Sequence, residues 1–307
     1  MKDALQIVFS SDERYAPHLG VALASLIATS APSTRAVIRV LDGGISPANR
    51  RRLHRVTRRG GNRFQLEFIR PDDGWVRDLP LRHYYRVPVY YRYWMHRSMP
   101  PEIGRVLYLD CDMVVRRDLT ELYTADLGGR PVGAALDKYL HEAPRRVPGW
   151  PVHARDYFNT GMLVMDLAAW KASGCSESMR DLLEQNPGHF LVPDQDAFNL
   201  ACRGQVRELS FAWNYQIVSS PDADLPLEPW IVHYLGDVKP WNFWNTHPLR
   251  HCYREMRRRT PWRFHPYEFG HARKGMIILG GRLLPEFVKR PLRALLGIPA
   301  PHLPGKV

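Results

Sequence analysis

The chain has 307 residues, 45% of them hydrophobic and 24% charged, a composition that can bury a core and that excludes a wholly disordered protein. The formal net charge of +12 predicts an anionic partner. The four cysteines lie far apart without a CxxC pair, which argues against a zinc knuckle or a disulfide framework and favours a reducing compartment. With no signal-peptide pattern at the N-terminus and no run of ~20 apolar residues, we expect a cytoplasmic protein.

Strand-like and helix-like patterns alternate along the first two thirds of the chain, as they do in a parallel α/β sheet. We expect strands at residues 6–9, 36–41, 64–69, 106–115, 131–135, 161–165 and 230–236. Ser46 and Pro47 predict the N-cap and first turn of a basic helix, and Asp166 predicts the N-cap of a later one. No repeat or linker interrupts the pattern, so we expect one domain over residues 1–245 and a separate region over 246–307.

Two carboxylates, Asp110 and Asp112, lie one residue apart in the apolar run 106–115. In an extended strand both would project to the same face, with Cys111 turned away. Such a pair is costly to bury unless a cation lies between the carboxylates, and oxygen ligands favour a hard ion such as Mn²⁺ or Mg²⁺. The alternative is that Asp112 ends the strand and Asp110 is an isolated polar residue at its edge.

The region after residue 245 is basic and amphipathic. Residues 250–293 carry twelve Arg or Lys against three Glu, and aromatic and aliphatic residues are interleaved with them. This pattern predicts attachment to an anionic membrane surface, where each basic residue contributes about 1 kcal/mol. The alternatives are a solvated basic face and an apolar segment folded onto the domain. No nucleic acid is expected, because no helix-turn-helix, RNA-recognition or zinc-finger pattern accompanies the charge.

Six segments resemble, in the same order, signatures of the retaining glycosyltransferases of family 8, the group that contains glycogenin and the bacterial lipooligosaccharide galactosyltransferases. They are residues 7–15, 41–46, 106–112, 158–167, 194–196 and 233–241. The resemblance implies a GT-A fold, which is a Rossmann-like nucleotide-sugar-binding domain with a mainly parallel central sheet. It also implies a UDP-sugar donor, Mn²⁺ as the metal with Mg²⁺ as the alternative, and transfer with retention of anomeric configuration.

Carried across position by position, the resemblance makes Asp110, Asp112 and His233 the metal ligands. Two carboxylates and one imidazole suit Mn²⁺ better than Mg²⁺, which is less often bound through nitrogen. Lys239 and the backbone of Gly236 would hold the phosphates of the donor. The alternative for His233 is a core histidine at a strand end with its hydrogen bonds satisfied.

The resemblance also implies contacts to the nucleotide. Asp12 and Tyr15 would hold the uracil, and Ser10 would offer a backbone contact. In the alternative, Asp12 caps the following helix and Tyr15 packs against the core. Arg92 would contact the donor and a metal-site carboxylate, although the neighbouring arginines permit a different register. Cys111 is counted among the donor-binding residues.

The donor sugar would be bound by Gly161 and by side chains that donate and accept hydrogen bonds at fixed angles, namely Asp137, Asn159, Asp194 and Gln195. The predicted catalytic residues are Gln195, Asp194 and Asp137. Gln195 would lie nearest the anomeric carbon and stabilise positive charge there while the acceptor hydroxyl attacks from the front. An amide is a poor nucleophile, so no covalent intermediate is expected. The alternative for Asp194 is that it is an acid in the first turn of a helix.

Two residues depart from the family pattern: Cys111 stands where Thr or Ala is usual, and Thr160 stands where Ala is usual. Both change the pocket beside the donor, where contacts that distinguish glucose from galactose differ by only ~1–3 kcal/mol. Residues 139–157 form an irregular basic segment. The resemblance predicts that this segment closes over donor and acceptor, and an ordinary surface loop is the alternative.

Taken together, the residues and the resemblance predict a Mn²⁺-dependent transferase that moves glucose or galactose from a UDP-sugar to a hydroxyl of a glycan or lipid-linked acceptor. Synthesis of lipopolysaccharide or another cell-surface glycan at the inner membrane face would fit such an enzyme. A protein of the same fold that binds a nucleotide sugar or glycan without turnover is the alternative. A nucleic-acid-binding protein driven by the +12 charge is a third hypothesis.

Overall fold

The computed structural model describes residues 4–81, 86–139, 156–186, 188, 190–218 and 228–266. Its strands are β1 (Leu5–Ser11), β2 (Ala36–Asp42), β3 (Phe64–Ile69), β4 (Arg105–Leu109), β5 (Met113–Val115), β6 (Val132–Leu136), β7 (Phe158–Asp166), β8 (Val206–Glu208), β9 (Tyr215–Ile217) and β10 (Ile231–Tyr234). Its α-helices are α1 (Ala16–Thr29), α2 (Pro47–Thr57), α3 (Pro88–Trp94), α4 (Thr120–Tyr123), α5 (Leu167–Ser173), α6 (Cys175–Gln185), α7 (Pro193–Ala201) and α8 (Arg250–Arg258). Short 3₁₀ helices span Arg58–Arg63, Asp73–Trp75, Met95–Arg97 and Phe211–Asn214.

Two sheets organise the described residues. The larger has seven strands in the order β3-β2-β1-β4-β7-β6-β8, and the smaller has three in the order β5-β10-β9. In the larger sheet β7 runs antiparallel to β4 and β6, whereas the other neighbouring strands pair in parallel. The predicted mainly parallel central sheet is therefore confirmed.

Helix α1 lies between the two sheets, which explains why it is apolar on all sides. Its residues Leu19 and Leu23 pack in the core of the larger sheet, whereas Val21 packs with residues of the smaller sheet. The predicted helix starts are also confirmed. The Ser46 side chain accepts a hydrogen bond from the Asn49 N–H, and the Asp166 side chain accepts one from the Ala169 N–H.

The expected single strand over residues 106–115 is wrong. Strand β4 pairs with β1 and β7 in the larger sheet, whereas β5 pairs with β10 in the smaller sheet. Residues 110–112 form the connection in which the chain passes from one sheet to the other. A continuous apolar run conceals this change, because residues of both halves are buried in the same core, Leu107 and Leu109 from β4 with Met113 and Val115 from β5.

The chain beyond residue 245 packs against the domain as far as it is described. Leu249, Cys252 and Tyr253 are buried with Val21 and residues of the smaller sheet, and Trp262 is buried in the larger core. The expected boundary at residue 245 stays a prediction. Residues 267–307, which include most of the predicted basic amphipathic region, lie outside the described residues, as does most of the predicted loop 139–157. No helix within the described ranges is both long and apolar enough to cross a membrane.

A buried histidine in α1 links the domain to α8. The His18 ring stacks on Trp241 with 3.5 Å between ring centroids, and its Nδ1 lies 2.7 Å from the Tyr253 hydroxyl. Burial lowers the pKa of His18 from its ordinary 6.5 to about 3. The folded protein therefore holds this ring neutral at pH values where the unfolded chain would protonate it.

This histidine predicts a loss of stability in mild acid. Between pH 6.5 and about 3 the unfolded chain binds a proton that the folded protein does not, so stability falls as the pH is lowered through this range. We expect the free energy of unfolding to drop by about 2 kcal/mol between pH 7 and pH 5 from this group. Urea unfolding at both pH values measures the drop. His18→Gln should reduce the drop in the free energy of unfolding, whereas His251→Gln, at an exposed histidine, should leave it unchanged. An equal drop in all three proteins would contradict the assignment.

Candidate active site

A cavity of about 210 Å³ opens where β1 and β4 end, next to the start of α1 and α3. Ligands of open α/β sheets bind beyond the carboxyl ends of the strands, so the location fits a binding site. Thirteen of the fifteen predicted site residues line the cavity: Ser10, Asp12, Tyr15, Arg92, Asp110, Cys111, Asp112, Asn159, Gly161, Gln195, His233, Gly236 and Lys239. The other two, Asp137 and Asp194, lie behind its wall.

The three predicted metal ligands come together in this cavity. One ligand atom from each of Asp110, Asp112 and His233 lies within 4.8 Å of the others. The Nε2 atom of His233 is 3.3 Å from Asp112 Oδ1 and 3.9 Å from Asp110 Oδ2. Antiparallel pairing of β10 with β5 brings the histidine beside the aspartates, since His233 is in register with Met113. This group of side chains could hold a divalent cation.

The hydrogen bonds of His233 leave its Nε2 atom available for a metal. Its Nδ1 lies 2.8 Å from Asn214 Oδ1, while Asn214 Nδ2 donates to Asn159 Oδ1 at 2.9 Å. Asn159 Oδ1 also accepts from the Gly161 N–H, so it acts as an acceptor and sets the orientation of Asn214. The Nδ1–H of His233 therefore donates to Asn214, and the Nε2 lone pair faces the aspartates. The sequence analysis missed Asn214, since no local pattern marks it.

A glycine in β7 provides the space for this cluster. A Cβ atom on Gly161 would lie 2.3 Å from His233 Cε1 and 2.9 Å from Asp110 Oδ2. Real Cβ atoms do not approach other heavy atoms so closely, so any side chain here would displace the histidine. The Gly161 carbonyl also accepts from the Asp110 N–H at 2.8 Å, which holds the aspartate against β7.

Asp112 is ionised despite its burial. Burial by itself would raise the pKa of this carboxyl, but the neighbouring Lys239 and His233 outweigh that effect and hold its pKa well below the usual range. The Lys239 ammonium donates to Asp112 Oδ2 at 2.7 Å and to the Tyr234 carbonyl at 2.5 Å. The predicted phosphate-binding lysine thus lies directly beside a predicted metal ligand.

Asp110 is held by Arg92 of α3 and Tyr108 of β4. The Arg92 guanidinium lies 3.1 Å from Asp110 Oδ1 and donates to the Thr160 carbonyl at 2.8 Å. It also lies over the Tyr108 ring, 4.8 Å from the centroid, and the Tyr108 hydroxyl donates to Asp110 Oδ1 at 2.8 Å. The sequence analysis missed Tyr108, although it lies two residues before Asp110, the spacing of one face of a strand.

At the predicted nucleotide end, the structure contains the packing expected in the alternative hypothesis. Asp12 Oδ1 accepts from the Tyr15 N–H at 3.1 Å, and the Tyr15 ring meets Trp241 edge-on. Asp12 thus bonds to the turn before α1, and no side-chain hydrogen bond caps this helix. Both side chains line the cavity, so these contacts leave them exposed to a ligand. Arg14 and Arg86, which the sequence analysis did not single out, also line it, and Arg86 Nε lies 3.7 Å from Asp12 Oδ2.

Asp137 is the centre of a buried hydrogen-bond network. Its Oδ2 accepts from Asn159 Nδ2 at 3.1 Å and from Gln195 Nε2 at 3.0 Å. Gln195 Oε1 in turn accepts from the Thr160 N–H at 3.2 Å. This arrangement fixes both amides at the cavity wall, so Asp137 positions them from behind.

Asp194 and Asp196 lie in the first turn of α7, as the alternative hypothesis proposed. Asp194 is buried and accepts from the Tyr93 hydroxyl at 3.2 Å, and burial raises its pKa. Asp196 accepts from the Tyr157 hydroxyl at 2.6 Å and from the Leu191 and Val192 N–H groups. Neither lines the cavity, and the predicted contact of Asp194 with the donor sugar stays a prediction.

Comparison with known proteins relates this site to a family. The chain matches the family model "Glycosyl transferase family 8" over residues 6–245. It is 30% identical over 276 residues to "General stress protein A" of Bacillus subtilis, covering 85% of this chain and 95% of that protein. It is 22% identical over 274 residues to the lipopolysaccharide 1,3-galactosyltransferase of Salmonella typhimurium, covering 85% of this chain and 80% of that enzyme.

The fold is similar to that of a solved galactosyltransferase, LgtC, in complex with donor and acceptor sugar analogs. The TM-score is 0.73 and the sequence identity 26%, with 85% of this chain and 99% of that chain covered. The larger sheet is therefore that of the GT-A fold. The matched range contains all fifteen predicted site residues, and this chain belongs to glycosyl transferase family 8.

Proposed function

We propose that the protein is a retaining glycosyltransferase that moves glucose or galactose from a UDP-sugar to an acceptor hydroxyl with the help of Mn²⁺. The observation that carries this proposal is the convergence of Asp110, Asp112 and His233 in the same cavity as Lys239 and Gln195. The transfer of a sugar from a nucleoside diphosphate uses groups of this kind: metal ligands, a cation that binds phosphate and a fixed amide. The lipopolysaccharide galactosyltransferase among the relatives supports a glycan or lipid-linked acceptor.

The residues present fit a divalent cation. Asp112 is ionised, His233 presents Nε2, and Gly161 leaves the space that a side chain would fill. Two carboxylates with one imidazole favour Mn²⁺, with Mg²⁺ as the alternative. When bound, the ion would neutralise charge on the departing diphosphate. A site whose ligands were merely surface acids would show none of these three features.

The remaining cavity residues would bind and orient the donor. Lys239 would contact the diphosphate as a point charge, and Gly236, whose φ of +74° lies in the left-handed region, would offer its backbone there. Asp12 and Tyr15 would hold the uracil. Ser10 would contribute its backbone, whose carbonyl already accepts from the Cys111 thiol at 3.2 Å.

Gln195 would stabilise the positive charge that develops at the anomeric carbon during front-side attack. Its amide is held at both ends, by Asp137 and by the Thr160 N–H, so it would not need to reorganise during the reaction. The departing phosphate would accept the proton of the acceptor hydroxyl.

Gln195→Ala should lower turnover by about 100-fold, the usual cost of removing one fixed dipole from such a site. UDP affinity should hardly change, since the amide is assigned to the sugar. Turnover and UDP binding by calorimetry separate the two effects. Gln185→Ala, at an exposed position in the last turn of α6, is the control and should match the wild type. Unchanged turnover in Gln195→Ala would remove this role.

The proposed function is tested by UDP release from UDP-glucose, UDP-galactose and their N-acetyl derivatives, with Mn²⁺ and with a chelator. We expect release from one hexose donor, and only with the metal. Mn²⁺-dependent UDP binding without release from any donor, even with acceptor glycans, would support the alternative of a binding protein. Neither release nor binding would overturn the metal assignment.

The predicted membrane attachment through the C-terminal region stays part of this proposal. It is supported by the basic and apolar composition of residues 250–293. A cytoplasmic enzyme held at the inner membrane face would meet lipid-linked acceptors there.

A further inference from the structure

The exposed side of α2 and the 3₁₀ helix that follows it is made of arginine. Residues 46–63 contain seven arginines and no acidic residue. Leu53 and Val56 of this segment are buried in the core of the larger sheet. Five arginines are exposed on the other side, and we call them the basic face: Arg51, Arg52, Arg55, Arg58 and Arg59.

Most of this charge is not neutralised by the protein itself. Within the described ranges, no ion pair involves Arg51, Arg55 or Arg58, whereas the neighbouring Arg50 is paired with Asp42 at 2.5 Å. Elsewhere Arg180 of α6 is paired with Glu184, and Arg117, just before α4, is paired with Glu121. The basic face therefore keeps a charge that is available to a partner.

The end of α8 extends the basic face. Helices α2 and α8 both pack against α1, and the Arg59 guanidinium donates to the carbonyl of Arg259. Arg258 and Arg263 are also exposed here. The helices α2 and α8 thus present arginines on neighbouring parts of one surface.

An exposed aromatic ring lies at the margin of the basic face. Phe264 is 84% exposed, and the Arg263 guanidinium lies 4.8 Å from its ring centroid. Phe264 and Arg52 line the same cavity, of about 450 Å³, together with Trp262 and His265. An exposed phenyl ring next to arginines is a combination favoured at the boundary between lipid headgroups and acyl chains.

We infer that the basic face and Phe264 form a docking surface for an anionic lipid bilayer, independent of residues 267–307. The arginines would contact lipid phosphates, and Phe264 would insert between headgroups. A bilayer fits better than a nucleic acid, because single strands are bound by successive exposed aromatic rings. Of the described aromatic residues near this face, Phe264 is the exposed one, while Trp262 is buried.

The docking surface adjoins the candidate active site. Arg14 lines both the active-site cavity and the second cavity, the one beside Phe264. A protein bound through the basic face would hold its active site close to the bilayer surface, where the sugar portion of a lipid-linked acceptor lies. This consequence for the acceptor rests on the proposed function, whereas bilayer binding itself does not.

The test is sedimentation of the full chain with vesicles of phosphatidylcholine, with and without phosphatidylglycerol. The test variant carries Arg51→Gln, Arg55→Gln and Arg58→Gln, none of which lines the active-site cavity. The control variant carries Lys171→Gln, Arg203→Gln and Arg207→Gln, which remove the same charge from exposed positions on α5, after α7 and on β8. A second test variant, Phe264→Ser, removes the aromatic ring and no charge.

We expect the wild type to bind only vesicles that contain phosphatidylglycerol. The triple test variant should bind about 100-fold more weakly, since each arginine near an anionic surface contributes about fivefold. The control variant should bind much more tightly than the test variant, and Phe264→Ser should weaken binding at high salt. UDP release in solution should be the same in all variants, so a failure of the proposed function would be seen separately.

Three results would overturn the inference. Equal loss in both triple variants would mean that net charge alone attracts the protein. Undiminished binding by the test variant would assign attachment to other parts of the chain. Tighter binding to an RNA or DNA oligonucleotide than to the anionic vesicles, lost in the test variant, would identify a nucleic-acid surface instead.

Discussion

Asp112→Asn should lower metal-dependent turnover by about 1,000-fold, which corresponds to about 4 kcal/mol of transition-state stabilisation. The substitution keeps the size of the side chain but removes a charged oxygen ligand, and it deprives Lys239 of its carboxylate partner at 2.7 Å. Both the proposed metal and Lys239, the proposed phosphate-binding lysine, should then be held less firmly. UDP release as a function of Mn²⁺ concentration measures both turnover and apparent metal affinity.

A matched control separates this effect from a general loss of charge. Asp126 is exposed and accepts a hydrogen bond from the Gly128 N–H in a turn away from the cavity, so Asp126→Asn should keep full turnover. Thermal unfolding of both variants without metal shows whether each remains folded. If folded Asp112→Asn turned over as the wild type does, the metal site would have to be placed elsewhere.

Gly161→Ala should impair the metal site by steric displacement rather than by loss of a ligand. The new Cβ would meet His233 Cε1 at 2.3 Å, so the imidazole would shift and weaken its hydrogen bond to Asn214. We expect about 100-fold lower turnover, because a displacement of about 1 Å in such a site costs that much. Metal affinity should fall by about 10- to 100-fold, as it does when a supporting partner of a histidine ligand is lost.

The control for overpacking is a second glycine of the same sheet. A Cβ on Gly133 would lie 2.8 Å from Leu127 Cδ2 and 2.9 Å from Leu209 Cδ1, so it crowds apolar side chains only. Gly133→Ala should lose about 1–3 kcal/mol of stability while its Mn²⁺ dependence stays that of the wild type. Comparable metal affinity in Gly161→Ala and the wild type would show that His233 is not a ligand.

The sequence predicted the residues that line the cavity better than the residues that hold those side chains in place. Asp110 and Asp112 carry charges whose chemistry is readable without a structure, and the family resemblance added His233 and Lys239. Asn214, which orients that histidine, and Asp137, which fixes two amides from behind the wall, act through contacts between distant parts of the chain. No local spacing reveals such contacts, so Asn214 and the hydrogen bonds of Asp137 to the two amides were missed, while the contact of Asp137 with the sugar stays a prediction.

The sequence by itself predicted the longer strands in their order and the starts of α2 and α5, because period, caps and turn residues act over a few neighbouring residues. It did not predict the short strands β8 and β9. It also determined the arginine side of α2, since buried Leu53 and Val56 orient that helix. Only the tertiary structure decided that residues 110–112 connect two sheets and that β10 delivers His233 to them. These features depend on pairing between strands that are 53 to 120 residues apart in sequence. At such distances the buried surface of the whole domain, and no local preference, selects the partner.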